Sequence, residues 1–320
     1  MHKTKKIDAD RGISDMSKYN MDLFKHVTVA LNTPFHADGS VDLEATQRVS
    51  AYFLEKGIRQ MYVCGSTGEG FLLDHEERMQ VADAVVSAVG RDMNIIVHVG
   101  CADTRHACML AAHAEKIGAA AVSAVPSVYY HLGDESVFRH WTAITQAADL
   151  PFFIYNIPQL TGFHLSMDLF YRMLENDRVA GLKCSSDPVQ DIMRFKHAGG
   201  KDLIIFNGPV EQYVAGRLMG AAAGIGGTYG AMPELYLKMA ELVDRGEWEK
   251  AAAVQEKVTA LIYRLCAFPS MYGAVKSIIT LDGCPMGDPR LPFLPVSPDD
   301  PQLIQLYQDI RQTVEDTKSL

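Results

Sequence analysis

Apolar and polar positions along this 320-residue chain follow two alternating rhythms. Short runs of apolar and β-branched residues, bounded by Gly, Pro, Asn or Asp, read as buried strands. Longer stretches with apolar residues three and four apart read as helices. Residues 26–31 are the first such run, closed by Asn32-Thr33-Pro34. Asp42 then caps a helix to Lys56, with Val49, Tyr52 and Phe53 on one face and Gly57 as its stop. A second strand over 58–64 ends in Gly65-Ser66-Thr67-Gly68-Glu69-Gly70. Asp74 and Glu77 have the spacing of a capping box at the head of a helix that ends at Gly90. Further strands are predicted over 94–99, 120–125, 151–155, 179–183, 203–206 and 221–225. Helices are predicted between them over 103–117, 134–148, 166–175, 187–197 and 210–219, and another from about Pro233.

Eight strand–helix units follow one another, each about 25 to 30 residues long. Alternation of this kind implies parallel strands joined by right-handed crossovers, and eight units predict a (β/α)8 barrel, a TIM barrel. The alternative is a doubly wound open sheet. That fold usually carries a Gly-rich dinucleotide turn after its first strand, which Asn32-Thr33-Pro34 does not resemble. The pattern changes after about residue 245. Residues 247–266, 271–281 and 301–318 read as helices around a Pro- and Gly-rich stretch at 284–298. The expected organisation is a polar leader over 1–24, the barrel over 25–245, and a C-terminal helical extension over 246–320 packed on the barrel.

Composition narrows the function. The net charge is −9 and no dense Lys/Arg cluster is visible, which argues against nucleic acid as a partner. No apolar run approaches the roughly 20 residues of a membrane helix. Six cysteines show no CxxC spacing and several sit in apolar runs, as suits reduced thiols in a cytoplasm. There is no HExxH or Cys/His ligand pattern, so no metal site is expected.

In a barrel of this type the working residues stand at the C-terminal ends of the strands. Val179-Ala180-Gly181-Leu182-Lys183-Cys184 is therefore notable, because it ends a strand buried on both faces with a lysine. An amine withdrawn from water is disfavoured as ammonium and favoured as a nucleophile. Read alone, Lys183 can equally be a cation snorkelling from a strand end. Lys276, in the extension, is its rival as a buried amine. The Gly65-Ser66-Thr67 turn can offer successive backbone N–H groups and two hydroxyls to a carboxylate, or can be a tight turn without a ligand. Screening within ~8 Å lets such a local nest work in an acidic protein. Tyr155 ends its strand, where a phenol beside an amine can shuttle protons. A core tyrosine with a bonded hydroxyl is the plainer reading of it. His98 reads as a core histidine. Tyr129 and Tyr130, Gly208 and Glu211, and Gly226-Gly227-Thr228 mark other strand ends.

Together these residues resemble the pyruvate-dependent class I aldolase and lyase superfamily, the family of dihydrodipicolinate synthase and N-acetylneuraminate lyase. The match runs from about residue 25 and rests on Gly65-Ser66-Thr67-Gly68-Glu69, Tyr155-Asn156-Ile157-Pro158 with Thr161-Gly162, and Gly181-Leu182-Lys183. The resemblance implies that Lys183 forms a Schiff base with C2 of a 2-oxo acid, so that the C3–C4 bond can break or form. It implies that Thr67 and Tyr155 act with Lys183, and that Tyr155 moves a proton at the C4 hydroxyl. Gly65, Ser66, Thr67, Ser185, Gly208, Glu211 and Gly227 would bind substrate. Tyr129 or Tyr130 would complete the relay across a subunit contact. No cofactor is implied beyond the covalent imine. The implied partners are pyruvate and an aldehyde or sugar, and the implied assembly is a homotetramer.

Within that family the sequence leans towards N-acetylneuraminate lyase. Synthases usually carry an arginine two residues after the proline of the Tyr-Asn-x-Pro motif, and here that residue is Leu160. There are departures from the lyases too. Val210 replaces the aspartate of an Asp-Glu pair that ends in Glu211, and Gly227 replaces a serine. The alternatives are 4-hydroxy-tetrahydrodipicolinate synthase, a 2-keto-3-deoxy sugar acid aldolase, and a non-catalytic barrel that binds 2-oxo acids.

Overall fold

The computed structural model describes residues 18–320. Most of the expected polar leader, residues 1–17, lies outside the described residues. Eight strands form a closed barrel in chain order: β1 (Thr28–Ala30), β2 (Gln60–Val63), β3 (Asn94–His98), β4 (Ala121–Ala124), β5 (Phe152–Asn156), β6 (Val179–Cys184), β7 (Ile204–Asn207) and β8 (Ala223–Gly226). All neighbours are parallel, and β8 closes on β1 with Thr28 opposite Ile225. Closure excludes the open-sheet alternative.

Helices α1 (Leu43–Glu55), α2 (His75–Val89), α3 (Thr104–Lys116), α4 (Asp134–Ala147), α5 (Pro158–Thr161), α6 (Met167–Met173), α7 (Gln190–Gly199), α8 (Tyr213–Leu218) and α9 (Pro233–Asp244) accompany the strands. The capping box at α2 forms as its spacing predicts: Glu77 N–H donates to Asp74 at 2.8 Å, and Asp74 N–H donates to Glu77 at 2.9 Å. Two elements differ from the sequence reading. The stretch 210–219 is a 3-10 turn over Val210–Gln212 followed by α8, because the Val210 carbonyl is taken by the Tyr236 hydroxyl and the Gln255 amide. The short helix α5 falls between the strand predicted over 151–155 and the helix predicted over 166–175, where no element is predicted. Pro158 starts it, and Gly162, at φ +65°, ends it.

The extension is α10 (Trp248–Cys266), α11 (Met271–Leu281) and α12 (Pro301–Thr317), which follow the barrel. It is tied to α1 and α9 by charge. Lys56 lies 2.8 Å from Glu234 and 3.0 Å from Asp282, and Arg311 reaches both carboxylates. Among the described residues no single helix is long and apolar enough to cross a membrane.

Two apolar clusters divide the core. One lies between strands and helices; the other fills the barrel with Ala30, Tyr62, Ile96, Phe153, Tyr155, Ala180, Phe206 and Ile225 among others. A 3-10 turn over Met21–Phe24 plugs the barrel floor, with the Phe24 ring 5.0 Å from that of Phe153. The reading of a barrel that begins at residue 25 leaves this plug outside the fold; the structure packs it inside.

One irregularity decides which way Lys183 faces. The pairing of β5 with β6 shifts by one residue, from Phe152↔Val179 to Phe153↔Gly181. Ala180 is the extra residue of a β-bulge. Below it Val179 faces the helices and Ala180 the barrel interior; above it Leu182 faces the helices. Strand alternation is thus inverted, and Lys183 turns inward. Gly181 sits at the kink, where an added Cβ would lie 1.9 Å from the Ile204 carbonyl oxygen. Gly181→Ala is therefore expected to destabilise the protein by about 3 kcal/mol. Urea denaturation measures this, and a change within 0.5 kcal/mol (about the noise of surface substitutions) would remove the steric argument.

Candidate active site

Lys183 lies opposite Tyr155 on β5 and Phe206 on β7. It is 6% exposed, and its Nζ stands 4.0 Å from the ring centroid of Tyr155 and 4.4 Å from that of Tyr62. Among the described residues it forms no ion pair. Tyr62 is also the link to the turn after β2. An added Cβ on Gly65 would meet the Tyr62 ring at 2.5 Å, so glycine lets the turn lie directly against this ring.

The turn has a marked polarity. Its carbonyls are bound: Gly65 O accepts from Gly70 N–H, Ser66 O from Glu69 N–H, Thr67 O from Asn32 Nδ2, and Gly68 O from Thr33 Oγ1. Among the described residues the N–H groups of Ser66, Thr67 and Gly68 have no acceptor. Nor do the hydroxyls of Ser66 and Thr67 have a partner among them. Three amides and two hydroxyls beside a buried amine can hold an anion. Backbone geometry supports this shape, with Cys64 at φ 57° and Glu69 at φ 56°.

The other predicted residues are distributed around the same rim. The Ser185 N–H donates to Asn156 O, and Gly208 N–H donates to Cys184 O, both at 2.8 Å. Gly208 is packed so closely on Ser185 that an added Cβ would lie 1.9 Å from its Oγ. Gly227 faces Thr67 across the β1 side, where a Cβ would lie 2.7 Å from Thr67 Oγ1 and 3.6 Å from Met271 Cε. Glu211 stands in the turn after β7. Burial, above all, raises the phenols of Tyr229 and Tyr236, and the charge of Glu211 adds to it. Tyr129 and Tyr130 are not gathered into this site. They are 90% and 70% exposed on the loop after β4, with Tyr129 at φ 81°.

Tyr62 escapes the sequence reading, and Glu69 and His98 make contacts that it does not foresee. Tyr62 lies inside the barrel and donates to Ser123 Oγ at 3.1 Å. Its inward position on β2, next to the turn, is the signal that identifies it. Burial raises its phenol well above the ordinary value, so it stays a neutral donor. Glu69 is buried against Lys276, 3.0 Å from Oε1 to Nζ. That places the rival lysine in an ion pair on α11. His98 reads as a core histidine, and both of its nitrogens do have backbone partners: Nδ1 is 3.1 Å from Cys64 O, and Nε2 accepts from Val125 N–H at 3.4 Å. Its ring nevertheless meets Tyr155 edge-on at 5.9 Å. Burial, with Arg78 and Lys183 nearby, depresses its pKa well below the ordinary value.

A closed parallel barrel with an inward lysine at the end of its sixth strand, beside a tyrosine and a turn of open amides, defines a lyase or aldolase of the class I type. The comparisons with known proteins agree with this class. The model of the dihydrodipicolinate synthetase family matches residues 23–311, and the chain belongs to that family. It is 39% identical over 289 residues to the N-acetylneuraminate lyase of Mediterraneibacter gnavus, covering 89% of this chain and 92% of that one. Identity to the N-acetylneuraminate lyase of Escherichia coli strain SMS-3-5 is 33% over 288 residues, 89% of this chain and 97% of the other. The solved wild-type sialic acid aldolase of Ruminococcus gnavus superposes with a TM-score of 0.88 at 38% identity, over 93% of this chain and 99% of that one.

His98 gives the site a pH signature. Its folded pKa lies below its unfolded value, so acidification protonates the unfolded chain first and stability falls as pH drops through about 6.5. In the folded protein, nitrogen NMR is expected to show His98 neutral and Nδ1-protonated from pH 8 down to 5.5. An imidazolium signal in that window would contradict the assigned partners.

Proposed function

We propose that this enzyme cleaves, or in reverse forms, the C3–C4 bond of a 4-hydroxy-2-oxo acid, with Lys183 as the Schiff-base nucleophile. The observation that carries this reading is the position of Lys183 Nζ over Tyr155 and Tyr62, the latter ring packed against Gly65 at the head of the turn.

The substrate carboxylate would lie on the turn, held by the Ser66 and Thr67 hydroxyls and the free N–H groups. The Lys183 amine adds to C2, and loss of water leaves a protonated imine. Tyr155, having given its proton to the hydroxyl that leaves as water, takes the proton from the C4 hydroxyl; the C3–C4 bond breaks, and its electron pair moves into the imine as an enamine while the aldehyde leaves. Protonation at C3 and addition of water release pyruvate and the amine. The iminium supplies the electron sink, so the proposed reaction needs no metal or organic cofactor. Ser185, Gly208, Glu211 and Gly227 line the way out to the rest of the substrate in this reading.

N-acetylneuraminate is the leading substrate, by similarity to relatives of that name. Leu160, 64% exposed on α5, cannot grip a second carboxylate and speaks against a synthase. Val210 and Gly227 favour a sugar acid with fewer hydroxyls to satisfy as the second reading. Exposure of Tyr129 and Tyr130 supports a homotetramer in which they meet a second copy. The six free cysteines suit a reducing cytoplasm.

Incubation with pyruvate and borohydride is expected to place one reduced adduct on Lys183, mapped by mass spectrometry. An adduct solely on Lys276, or none, would refute the mechanism. Tyr155→Phe should still form the adduct but lose about 10²- to 10⁴-fold in cleavage rate. Comparison of pyruvate release from N-acetylneuraminate and from simpler 4-hydroxy-2-oxo acids ranks the substrates. Equal kcat/KM values would argue against a dedicated sialic acid site.

A further inference from the structure

Lys276 and Glu69 are a buried ion pair that the proposed reaction does not use. Lys276 is 1% exposed and Glu69 2%. The pair joins α11, in the extension, to the residue that directly follows the Ser66-Thr67-Gly68 turn. Glu69 N–H donates to Ser66 O at 3.1 Å, and Glu69 Oε2 accepts from Arg290 N–H at 2.8 Å. Arg290 also donates to Leu72 O and pairs with Glu77 in the α2 cap, so the C-terminal side of the turn is anchored to residues beyond 270. Lys276 has further ties, donating to Asp288 O at 3.1 Å and lying 4.2 Å from the Phe35 ring centroid. Glu69 Oε1 has the lysine at ion-pair distance but no well-directed hydrogen bond. Charge rather than hydrogen-bond geometry thus holds that oxygen.

We propose that the Lys276–Glu69 pair is a positioning device that aims the amides of the Ser66–Gly68 turn at the substrate carboxylate, which makes the C-terminal extension part of the binding apparatus. A left-handed residue such as Glu69 persists where its surroundings over-determine it, and a buried carboxylate loses that anchor when its cation is removed. The inference rests on the reading that this turn holds the carboxylate. It predicts an effect on substrate affinity separate from the rate of bond formation.

The pair also carries a pH dependence. Burial lowers the Lys276 pKa to about 8; Glu69 and Asp288 act to raise it and Arg290 to lower it. Glu69 itself faces Lys276, Arg290 and the phenol of Tyr272, which burial pushes up to about 12. As pH rises past about 8 the ammonium is lost, and Glu69 keeps only Arg290.

The test is the concentration dependence of borohydride trapping by pyruvate in the full-length wild type, Glu69→Gln, and the double variant Glu69→Gln/Lys276→Met, between pH 6.5 and 9.5. Glu69→Gln keeps the shape and the acceptor for Arg290; the double variant leaves neither charge buried. The expected result at pH 7 is about a 10-fold rise in half-saturating pyruvate in both variants, with the maximal trapping rate within about 2-fold. The double variant should be no worse than the single, as for a pair that acts as a unit. The wild type should lose affinity above about pH 8 relative to the double variant; the double variant lacks both members of the pair, so the difference isolates it. Half-saturation within about 2-fold of wild type at every pH, or a loss confined to the maximal rate, would overturn the proposal. Should the double variant fail to fold by circular dichroism, Glu69→Gln alone decides it. Absence of any Lys183 adduct in the wild type would instead overturn the functional reading.

Discussion

One extra residue in the sixth strand organises the site. Without the bulge at Ala180, strand alternation would turn Lys183 towards the helices, where Val179, Leu182 and Cys184 pack. With it, the lysine shares the barrel interior with Tyr155 and Tyr62. The bulge in turn requires a residue without a side chain at 181, because the β7 backbone passes where a Cβ would be. A strand that ends in Gly-Leu-Lys therefore does two jobs. Glycine permits the phase change, and the phase change aims the amine.

The two buried lysines show how surroundings separate chemistry from structure. Lys276 has a carboxylate at 3.0 Å, and an opposite charge at that distance favours the ammonium form. Lys183 has aromatic faces instead, and among the described residues no carboxylate pairs with it. A nucleophilic amine must be able to give up its proton, and a close carboxylate works against that. The carboxylate that pairs with a buried lysine thus lies in the β2–α2 connection, next to the Ser66–Gly68 turn, and pairs with Lys276 rather than with Lys183.

Much of this was legible in the chain. Eight apolar runs alternating with amphipathic stretches predict the barrel, because strand and helix periods differ and Gly, Asp and Pro punctuate them. Lys183, Tyr155 and the Gly65-Ser66-Thr67 turn stand out because barrel geometry reserves strand ends for function. What was not legible depends on register and on distant contacts. The bulge is a pairing of β6 with β5, invisible in either strand alone. Tyr62 reads as one more apolar strand residue until closure of the barrel puts it beneath Lys183. The Glu69–Lys276 pair spans most of the chain, and neither residue signals the other. Phe24 falls in a polar context, and only the open floor of the barrel gives it a place to bury.

The turn after β2 gives the proposed carboxylate site a local field that differs from the field of the whole acidic chain. A net charge of −9 sets the far field, which salt screens within ~8 Å. At contact distance the field is that of oriented amides. All four carbonyls from Gly65 to Gly68 are bound behind the turn, by Asn32, Thr33 and the turn's own later residues. That leaves the N–H ends of the peptide dipoles directed away from them, as a partial positive charge that needs no cation. Such a nest has an advantage over a lysine or arginine beside a Schiff-base amine. In the proposed reaction it would add no full positive charge to repel the iminium, while it would still orient the carboxylate next to C2. On the proposed role of the pair, the same reasoning applies to Lys276: its charge is offset by Glu69 at 3.0 Å instead of standing free beside the turn.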